Sequence, residues 1–235
     1  METIDSQKAV DYIKGTDSIT FLTGAGVSTE SSVPDYRSLS GVYQGIQRPE
    51  YLLSHTCLEQ EPEKFYSFVK TLYHPQAEPN MIHQKIAALE ETKETWVVSQ
   101  NIDGLHKKAG TRHLVNFHGD IYDCYCRKCR QSVRWSDYLK SDVHSFCGGQ
   151  IRPNVILYEE GLIESAVKQA IKVVEQASVI AIVGTNFNVH PFCDLIHYVK
   201  NETKILVINQ TPITLNRPAY FYEGNALEIF NKINL

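Results

Sequence analysis

The sequence predicts an α/β fold built on a mostly parallel, doubly wound sheet. Short apolar runs that suit buried strands alternate with stretches of helical periodicity. Four of these apolar runs lead directly into small or polar residues, and two longer segments interrupt the alternation. Because such sheets bind ligands at the carboxyl ends of their strands, the polar residues predict one shared crevice.

The apolar runs and the stretches of helical periodicity assign each strand and helix in order. Residues 6–14 place Ala9, Val10 and Ile13 on one face of a helix, and Gly15 is a natural stop. Further helices are expected over residues 62–72, 82–90 and 163–176, and strands over residues 18–22, 95–98, 179–183 and 204–208.

Two segments lack this alternation. The first is rich in proline and contains about one strong helix, while the second is rich in Cys, Arg, Lys and Gly and poor in aliphatic residues. Both are interpreted as insertions that together form a small second domain. The sheet domain is then expected over residues 1–38, 81–119 and 152–235, and the small domain over 39–80 and 120–151.

Composition excludes several protein classes. The chain has 235 residues, of which 43% are hydrophobic and 21% charged, which excludes disordered, collagen-like and coiled-coil chains. A formal net charge of -4 gives no support to nucleic-acid or anionic-membrane partners. The polar, acidic N-terminus and the short apolar runs lack the pattern of a signal peptide or a membrane span. A cytoplasmic location is therefore expected.

The first polar turn contains Gly24 and Gly26 directly after a predicted strand. Glycines at a strand-to-helix turn let backbone amides approach a phosphate. Thr29 stands where a dinucleotide fingerprint would have its third glycine, so a plain tight turn remains the alternative. Arg37, shortly after, could clamp a phosphate or carboxylate, or could be an exposed loop residue.

The second polar group follows the strand at residues 95–98. The amides of Gln100 and Asn101 and the carboxylate of Asp103 suit ribose hydroxyls and a carboxamide, although Asp103 could instead cap a helix. His118, beside Gly119, is a candidate general base, with a structural histidine as the alternative.

Later strands also lead into polar residues. The small polar side chains of residues 184–191 could meet phosphate or ribose. The pair Asn209 and Gln210 follows the last strand and could bind a second ribose.

The small domain carries a candidate metal centre. Cys126 and Cys129 form one short knuckle, and His144 and Cys147 form another after a loop. Four such ligands suit a closed, structural zinc site. Cys124 competes with His144 for the fourth position, and free surface thiols are the alternative. The two isolated cysteines, Cys57 and Cys193, are expected in the core.

Together these segments resemble the sirtuin family of NAD-dependent protein deacylases, and most closely its compact bacterial members. The matching motifs span nearly the whole chain and occur in the same order as in the family. It rests on residues 24–28, 34–37, 100–103, 118–119, the paired knuckles, 151–153, 184–185 and 209.

The resemblance implies a Rossmann-like NAD-binding domain, and a small domain made of a zinc module and a helical module. It implies NAD as co-substrate and one structural zinc, held by Cys126, Cys129, His144 and Cys147. The cofactor-binding residues would be Gly24, Ala25, Gly26, Ser28, Thr29, Asp35, Tyr36, Arg37, Gln100, Asn101, Ile102, Asp103, His118, Gly184, Thr185, Asn186, Asn209, Gln210 and Ala226.

The same resemblance implies a reaction. The acyl-lysine carbonyl oxygen displaces nicotinamide from NAD, and a ribose hydroxyl then attacks the resulting imidate. Asn101, Asp103 and His118 would be catalytic, with neutral His118 as the base for that hydroxyl, so activity should fall below pH about 6.5. Products would be free lysine, nicotinamide and O-acetyl-ADP-ribose. The acyl-lysine protein would add a strand along Val155, Ile156, Leu157, Tyr158, Asn188 and Val189.

The sequence departs from the family pattern at four positions. Ser32 and Glu159 stand where glycine is usual, and Asn186 and His144 replace a common serine and cysteine. In the helical module, the resemblance implies that Tyr66 and Val69 influence the choice of acyl group. This pair favours an acetyl or a longer apolar acyl group over a succinyl group. Two other functions are kept as alternatives: a protein ADP-ribosyltransferase, and a zinc- and NAD-binding module without catalysis.

Overall fold

The computed structural model describes residues 1–34 and 49–234. Its strands are β1 (Glu2–Thr3), β2 (Ser18–Thr23), β3 (Glu94–Ser99), β4 (Leu114–Asn116), β5 (Gly119–Cys126), β6 (Ser132–Arg134), β7 (Ile151–Val155), β8 (Val179–Val183), β9 (Lys204–Asn209) and β10 (Tyr220–Glu223). Its α-helices are α1 (Ser6–Lys14), α2 (Pro49–Leu52), α3 (His55–Gln60), α4 (Pro62–Thr71), α5 (Met81–Leu89), α6 (Leu105–Lys108), α7 (Trp135–Lys140), α8 (Glu164–Gln176) and α9 (Ala226–Asn231). Short 3-10 helices cover Ala25–Val27, Thr29–Ser31 and Cys193–Tyr198.

Seven strands form the main sheet in the order β1-β10-β9-β8-β2-β3-β4. Every pairing in this sheet is parallel. Strand β2 alternates between its two faces, since Phe21 joins the core beneath α1, α5 and α9, whereas Leu22 joins the core beneath α8. The α/β, doubly wound parallel sheet predicted from the sequence is confirmed.

The ends of the predicted helices have clear local causes. Helix α1 begins after Asp5, whose carboxylate accepts from the Lys8 amide, and ends at Gly15. Helix α5 begins after Asn80, whose side chain accepts from the Ile82 amide. The short strands β1, β4 and β10 were not predicted, because two to four residues carry too little periodicity.

A second sheet has three antiparallel strands in the order β6-β5-β7. Its core differs from that of the main sheet, because it is rich in aromatic side chains from α4, α7 and the segments beside them. Tyr73 packs against Tyr138 and Trp135 at ring-centroid distances of 5.9 and 6.2 Å. The boundaries of the small domain remain a prediction.

Within residues 1–34 and 49–234, none of the helices is both long enough and apolar enough to cross a membrane.

Candidate functional site

Four strands of the main sheet end level with one another. Thr23 at the end of β2 pairs with Ser99 of β3 on one side and with Val183 of β8 on the other. Val183 in turn pairs with Ile208 of β9. The loops that follow these strands line one cavity of about 680 Å³. The shared crevice predicted from the polar strand ends is therefore present.

Most of the described candidate residues lie in the wall of this cleft. Gly24 and Asn188 are not part of the wall, and Asp35, Tyr36 and Arg37 lie outside the described residues. The wall contains Ala25, Gly26, Ser28, Thr29, Gln100, Asn101, Ile102, Asp103, His118, Val155, Ile156, Leu157, Tyr158, Gly184, Thr185, Asn186, Val189, Asn209, Gln210 and Ala226.

The glycine turn packs directly on the loop after β8. The Gly26 amide donates to the Gly184 carbonyl at 2.8 Å, and the Gly24 amide donates to the Val183 carbonyl at 3.2 Å. A Cβ on Gly26 would lie 2.8 Å from the Gly184 Cα. These glycines therefore allow two loops to approach each other. Their own amides are already engaged, so a phosphate here would need other donors.

Asn101 and Asp103 are fixed by a hydrogen-bonded network. The Ser28 hydroxyl donates to Asp103 Oδ2 at 2.7 Å, and Asn101 Nδ2 donates to Ser28 Oγ and to the Gly24 carbonyl, each at 3.1 Å. Asp103 Oδ1 also accepts from the Leu105 amide at the start of α6. Burial raises the pKa of Asp103, although the Ser28 hydrogen bond opposes this shift. The network holds an amide and a carboxyl group at fixed positions in the cleft wall.

His118 lies at the end of the loop between β4 and β5. Its Nδ1 is 3.1 Å from the Gln100 carbonyl oxygen. Because a carbonyl only accepts, Nδ1 carries the proton in this bond, and the neutral ring then has its lone pair on Nε2. The following residue, Gly119, has φ +87°, and a Cβ there would lie 2.0 Å from the Asn154 carbonyl oxygen. Only glycine therefore lets the chain turn here and keep His118 in the wall.

Sequence reasoning missed two buried histidines beneath this network. His106 Nε2 lies 3.1 Å from Thr23 Oγ1, and His83 Nε2 lies 3.5 Å from Ser28 Oγ. The two imidazole rings form an edge-to-face pair with centroids 4.8 Å apart. Burial lowers the pKa of His83 to about 4. Burial also lowers the pKa of His106, and the neighbouring His83 adds to the shift.

A sequence signal for these histidines existed. His83 follows Ile82 on the buried face of the helix predicted at residues 82–90, and His106 ends the polar segment at residues 99–106. Both positions could have been recognised as neutral histidines that support the cleft from below.

The loops after β3, β8 and β9 are also joined by side chains. Thr185 Oγ1 donates to Gln100 Oε1 at 3.2 Å, and Asn209 Nδ2 donates to the Thr185 carbonyl at 3.3 Å. Three of the polar positions predicted for a nucleotide thus form one connected wall.

The segment predicted to accept a peptide strand has its amides engaged within the chain. Ile156 donates to the His118 carbonyl, Leu157 to Glu160 Oε2, and Tyr158 to the Leu53 carbonyl, at 2.9, 3.0 and 2.9 Å. A peptide strand would therefore have to use other groups than these three amides.

Two of the positions that depart from the family pattern share an unusual backbone conformation. Ser32 has φ +58° and Glu159 has φ +73°, a region that glycine adopts without strain. The Glu159 carboxylate accepts from the Thr56 amide at 2.9 Å and from the Thr56 hydroxyl at 2.6 Å. This side chain therefore joins the segment after β7 to the start of α3.

The two residues expected to influence acyl choice are in the core of the small region. Tyr66 is 4% exposed and Val69 is fully buried, and neither is part of the cleft wall. The placement does not support that expectation. Apolar side chains that do line the cleft include Leu53, Leu72 and Leu157.

The candidate metal centre is assembled by the second sheet and the loop after α7. The ligand atoms of Cys126, Cys129, His144 and Cys147 lie within 4.8 Å of one another. The three closest contacts among them are each 3.4 Å. Tetrahedral zinc with Zn–S bonds of about 2.3 Å separates its ligand atoms by about 3.8 Å, so a zinc ion fits this group.

The cysteine environments separate the two candidates for the fourth ligand. The Cys124 thiol is buried 3.3 Å from the Tyr73 hydroxyl, outside the cluster, and burial raises its pKa to about 11. Burial also acts to raise the pKa of Cys126, but hydrogen bonds from the Cys129 amide and the Cys147 thiol bring it down to about 6. The group of candidate ligands therefore contains His144 and leaves out Cys124.

The two isolated cysteines behave differently. Cys57 is fully buried, as expected. The expectation for Cys193 is met in part, because its side chain packs against the core beneath α8 but is partly exposed and lies beside His190 and Asp194.

Comparison with known proteins agrees with this geometry. The model of the Sir2 family matches residues 24–191. An NAD-dependent protein deacetylase of Enterococcus faecalis is 60% identical over 235 residues, which cover 100% of this chain and 99% of the relative.

Solved structures show the same fold. A Sir2 homologue in complex with NAD has a TM-score of 0.86 and 30% identity, over 98% of this chain and 93% of that one. A Sir2 variant with a deacetylated peptide and 3'-O-acetyl-ADP-ribose has a TM-score of 0.87 and 27% identity, over 97% and 96% of the two chains.

Proposed function

The chain belongs to the Sir2 family, and from this membership we propose that it is an NAD-dependent protein-lysine deacylase that acts chiefly on acetyl groups. Its products are the free lysine, nicotinamide and O-acetyl-ADP-ribose. The observation that carries the proposal is the cleft at the ends of β2, β3, β8 and β9, whose wall contains Asn101, Asp103 and His118.

The joined loops supply the groups that NAD requires. Asn101 and Asp103, fixed through Ser28, suit the nicotinamide carboxamide and its ribose. Thr185, on the loop after β8, and Asn209, the last residue of β9, suit the adenosine half. The phosphates would meet Ala25, Thr29 and Arg37, since the Gly24 and Gly26 amides donate within the chain.

His118 has the arrangement of a general base. Its Nδ1–H donates to the Gln100 carbonyl, which leaves the Nε2 lone pair as the proton acceptor. In the proposed reaction the acyl oxygen of the substrate lysine displaces nicotinamide from the ribose. His118 then takes the proton of the ribose hydroxyl that attacks the acyl carbon.

The acyl-lysine side chain would enter between the two sheets. Leu53, Leu72 and Leu157 give that part of the wall an apolar surface, which favours acetyl and other apolar acyl groups over charged ones. The peptide would pass along the segment after β7 and near Val189, using groups other than the three engaged amides.

A zinc ion would be held by Cys126, Cys129, His144 and Cys147, with no coordination position left for substrate. Its contribution would be structural, because it ties the end of β5 to the loop after α7. We also propose a cytoplasmic location and no nucleic-acid or membrane partner. Three cysteines in one metal cluster require a reducing compartment, and the net charge of -4 offers no attraction to polyanions.

The test is mass spectrometry of the products formed from NAD and an acetyl-lysine peptide. We expect acetyl-ADP-ribose, nicotinamide and free-lysine peptide in equal amounts, and no nicotinamide release without the peptide. ADP-ribose attached to protein, with release of nicotinamide independent of the acetyl group, would instead identify a transferase of the same fold. Binding of NAD without turnover of any acyl peptide would identify a module without catalysis.

A further inference from the structure

A second group of metal-ligating side chains lies beside the cleft, away from the cysteine cluster. His190, Cys193 and Asp194 occupy the turn after β8 and the start of the 3-10 helix Cys193–Tyr198. His190 Nδ1 is 2.9 Å from both carboxylate oxygens of Asp194 and 3.5 Å from Cys193 Sγ. One ligand atom from each of the three residues lies within 4.8 Å of the other two.

The donor set favours a particular class of cation. It offers one sulfur, one nitrogen and one carboxylate oxygen. Magnesium and calcium prefer oxygen ligands throughout, whereas zinc accepts all three donor types. A histidine and an aspartate four residues apart are common as a surface pair. Cys193 packs against the core beneath α8, and its thiol adds a third donor 3.5 Å from His190 Nδ1.

We propose that His190, Cys193 and Asp194 bind a zinc-like divalent cation in an exchangeable site at the rim of the cleft. Three protein ligands leave a fourth position for water or a substrate group. On binding, the Cys193 thiol releases its proton to solvent, and the His190 proton moves from Nδ1 to Nε2 so that Nδ1 can ligate.

The charges at the site are consistent with an added cation. The Asp194 carboxylate brings negative charge to within 2.9 Å of His190 Nδ1. A divalent cation at this point would attract both this carboxylate and a Cys193 thiolate.

Exposure distinguishes this site from the cysteine cluster. The His190 side chain is 74% exposed and that of Asp194 is 39% exposed. In the cysteine cluster Cys126 is fully buried, and its other three ligands are partly buried. Water therefore competes for the ion at the rim site, and we expect zinc to leave it on dilution while the cysteine cluster stays loaded.

The position of the site suggests an effect on catalysis, a consequence that rests on the proposed function. His190 is part of the cleft wall, next to Val189. Phe192, between His190 and Cys193, packs near the His118 ring with centroids 6.4 Å apart. An ion that fixes this turn and adds positive charge to the rim should hinder entry of the acyl peptide, so that its KM rises while kcat is unchanged.

Metal content tests the site without any activity measurement. Wild-type protein is dialysed against a zinc-buffered solution, and zinc per chain is measured by mass spectrometry. We expect about two zinc ions per wild-type chain, and about one in the Cys193→Ala and Asp194→Asn variants. The zinc that remains shows that the cysteine cluster of each variant is intact, and circular dichroism shows whether the main sheet is folded. His197→Gln is the matched control, because His197 is exposed on the same 3-10 helix and should keep both ions.

Peptide kinetics at saturating NAD test the consequence. The KM for an acetyl-lysine peptide should rise several-fold with free zinc in the wild type and in His197→Gln, and should stay constant in Cys193→Ala. One zinc per wild-type chain, or equal zinc in wild type and Cys193→Ala, would overturn the site. A second zinc that leaves the peptide KM unchanged would overturn the inhibition. Absence of any deacylation would overturn the proposed function and leave the result on metal content standing.

Discussion

The main sheet and the three-stranded sheet are held together by different interactions. The cores on both faces of the main sheet are dominated by Val, Ile and Leu, and its seven strands are all parallel. The smaller sheet has three antiparallel strands, an aromatic core around Tyr73 and Tyr138, and four candidate metal ligands at one end. From this difference we expect that aliphatic burial stabilises the cleft, whereas the small region depends in part on a bound zinc ion.

The largest expected effect is therefore that of zinc removal. The chain has two tryptophans, and one lies in each region: Trp96 in β3 and Trp135 at the start of α7. Structural zinc contributes roughly 10–16 kcal/mol of binding free energy in zinc-finger peptides. Treatment with a strong chelator should thus change the Trp135 fluorescence of a Trp96→Phe variant far more than the Trp96 fluorescence of a Trp135→Phe variant.

Re-addition of zinc should restore the Trp135 signal, which separates metal loss from damage by the chelator. Equal changes of both tryptophans would show that the two regions unfold as one. No change in either would show that the small region is stable without metal.

A second prediction concerns the fourth ligand of the cysteine cluster. His144→Ala should lose most of the bound zinc, because it removes one of the four atoms that lie within 4.8 Å of one another. Cys124→Ala is the matched comparison and should keep its zinc, since Cys124 contacts Tyr73 instead. Zinc per chain is the measurement. The assignment of His144 is wrong if the two variants show the reverse result.

The third prediction concerns the pH dependence of stability in the main region. His83 has a pKa of about 4 in the folded chain and an ordinary value of 6.5, so the unfolded chain binds more protons between these values. The free energy of unfolding should therefore fall as the pH is lowered from 6.5 to 4, by up to about 3 kcal/mol from this residue. His106 acts in the same direction, whereas relief of the buried charge on Asp103 opposes it.

Denaturant unfolding of wild type and His83→Gln over this pH range isolates the contribution of His83. The wild type should lose more unfolding free energy than the variant as the pH falls. Parallel curves for the two proteins would show that His83 does not titrate differently in the folded and unfolded states.

The smallest predicted effect tests the close approach of two loops at the cleft. Gly26→Ala places a Cβ 2.8 Å from the Gly184 Cα, so one loop must shift. We expect a loss of about 1–3 kcal/mol in unfolding free energy, together with weaker NAD binding. Gly161→Ala is a suitable control, because a Cβ there meets nothing within 4 Å. Similar stability of the two variants would contradict the packing role of Gly26.

The sequence predicted those features that depend on local periodicity and spacing. The longer strands of the main sheet, the helices α1, α4, α5 and α8, and the cysteine cluster all follow from such patterns. The meeting of the polar strand ends at one cleft follows from the parallel topology.

Features that depend on long-range contacts could not be predicted. The engagement of the Ile156 and Tyr158 amides depends on the carbonyls of His118 and Leu53, which lie in distant segments of the chain. The buried contact between His83 and Ser28 joins residues 55 positions apart. Neither spacing nor propensity contains this information, because it is created only when the chain folds.

In the proposed reaction, His118 is the base for deacylation in the cleft. The rate of acetyl-ADP-ribose formation tests this role directly, measured by mass spectrometry for wild type, His118→Ala and the exposed-histidine control His197→Ala. We expect a fall of about 10²–10⁴-fold in His118→Ala, with NAD still bound, and no change in His197→Ala. Formation of acetyl-ADP-ribose by His118→Ala at the wild-type rate would contradict this role.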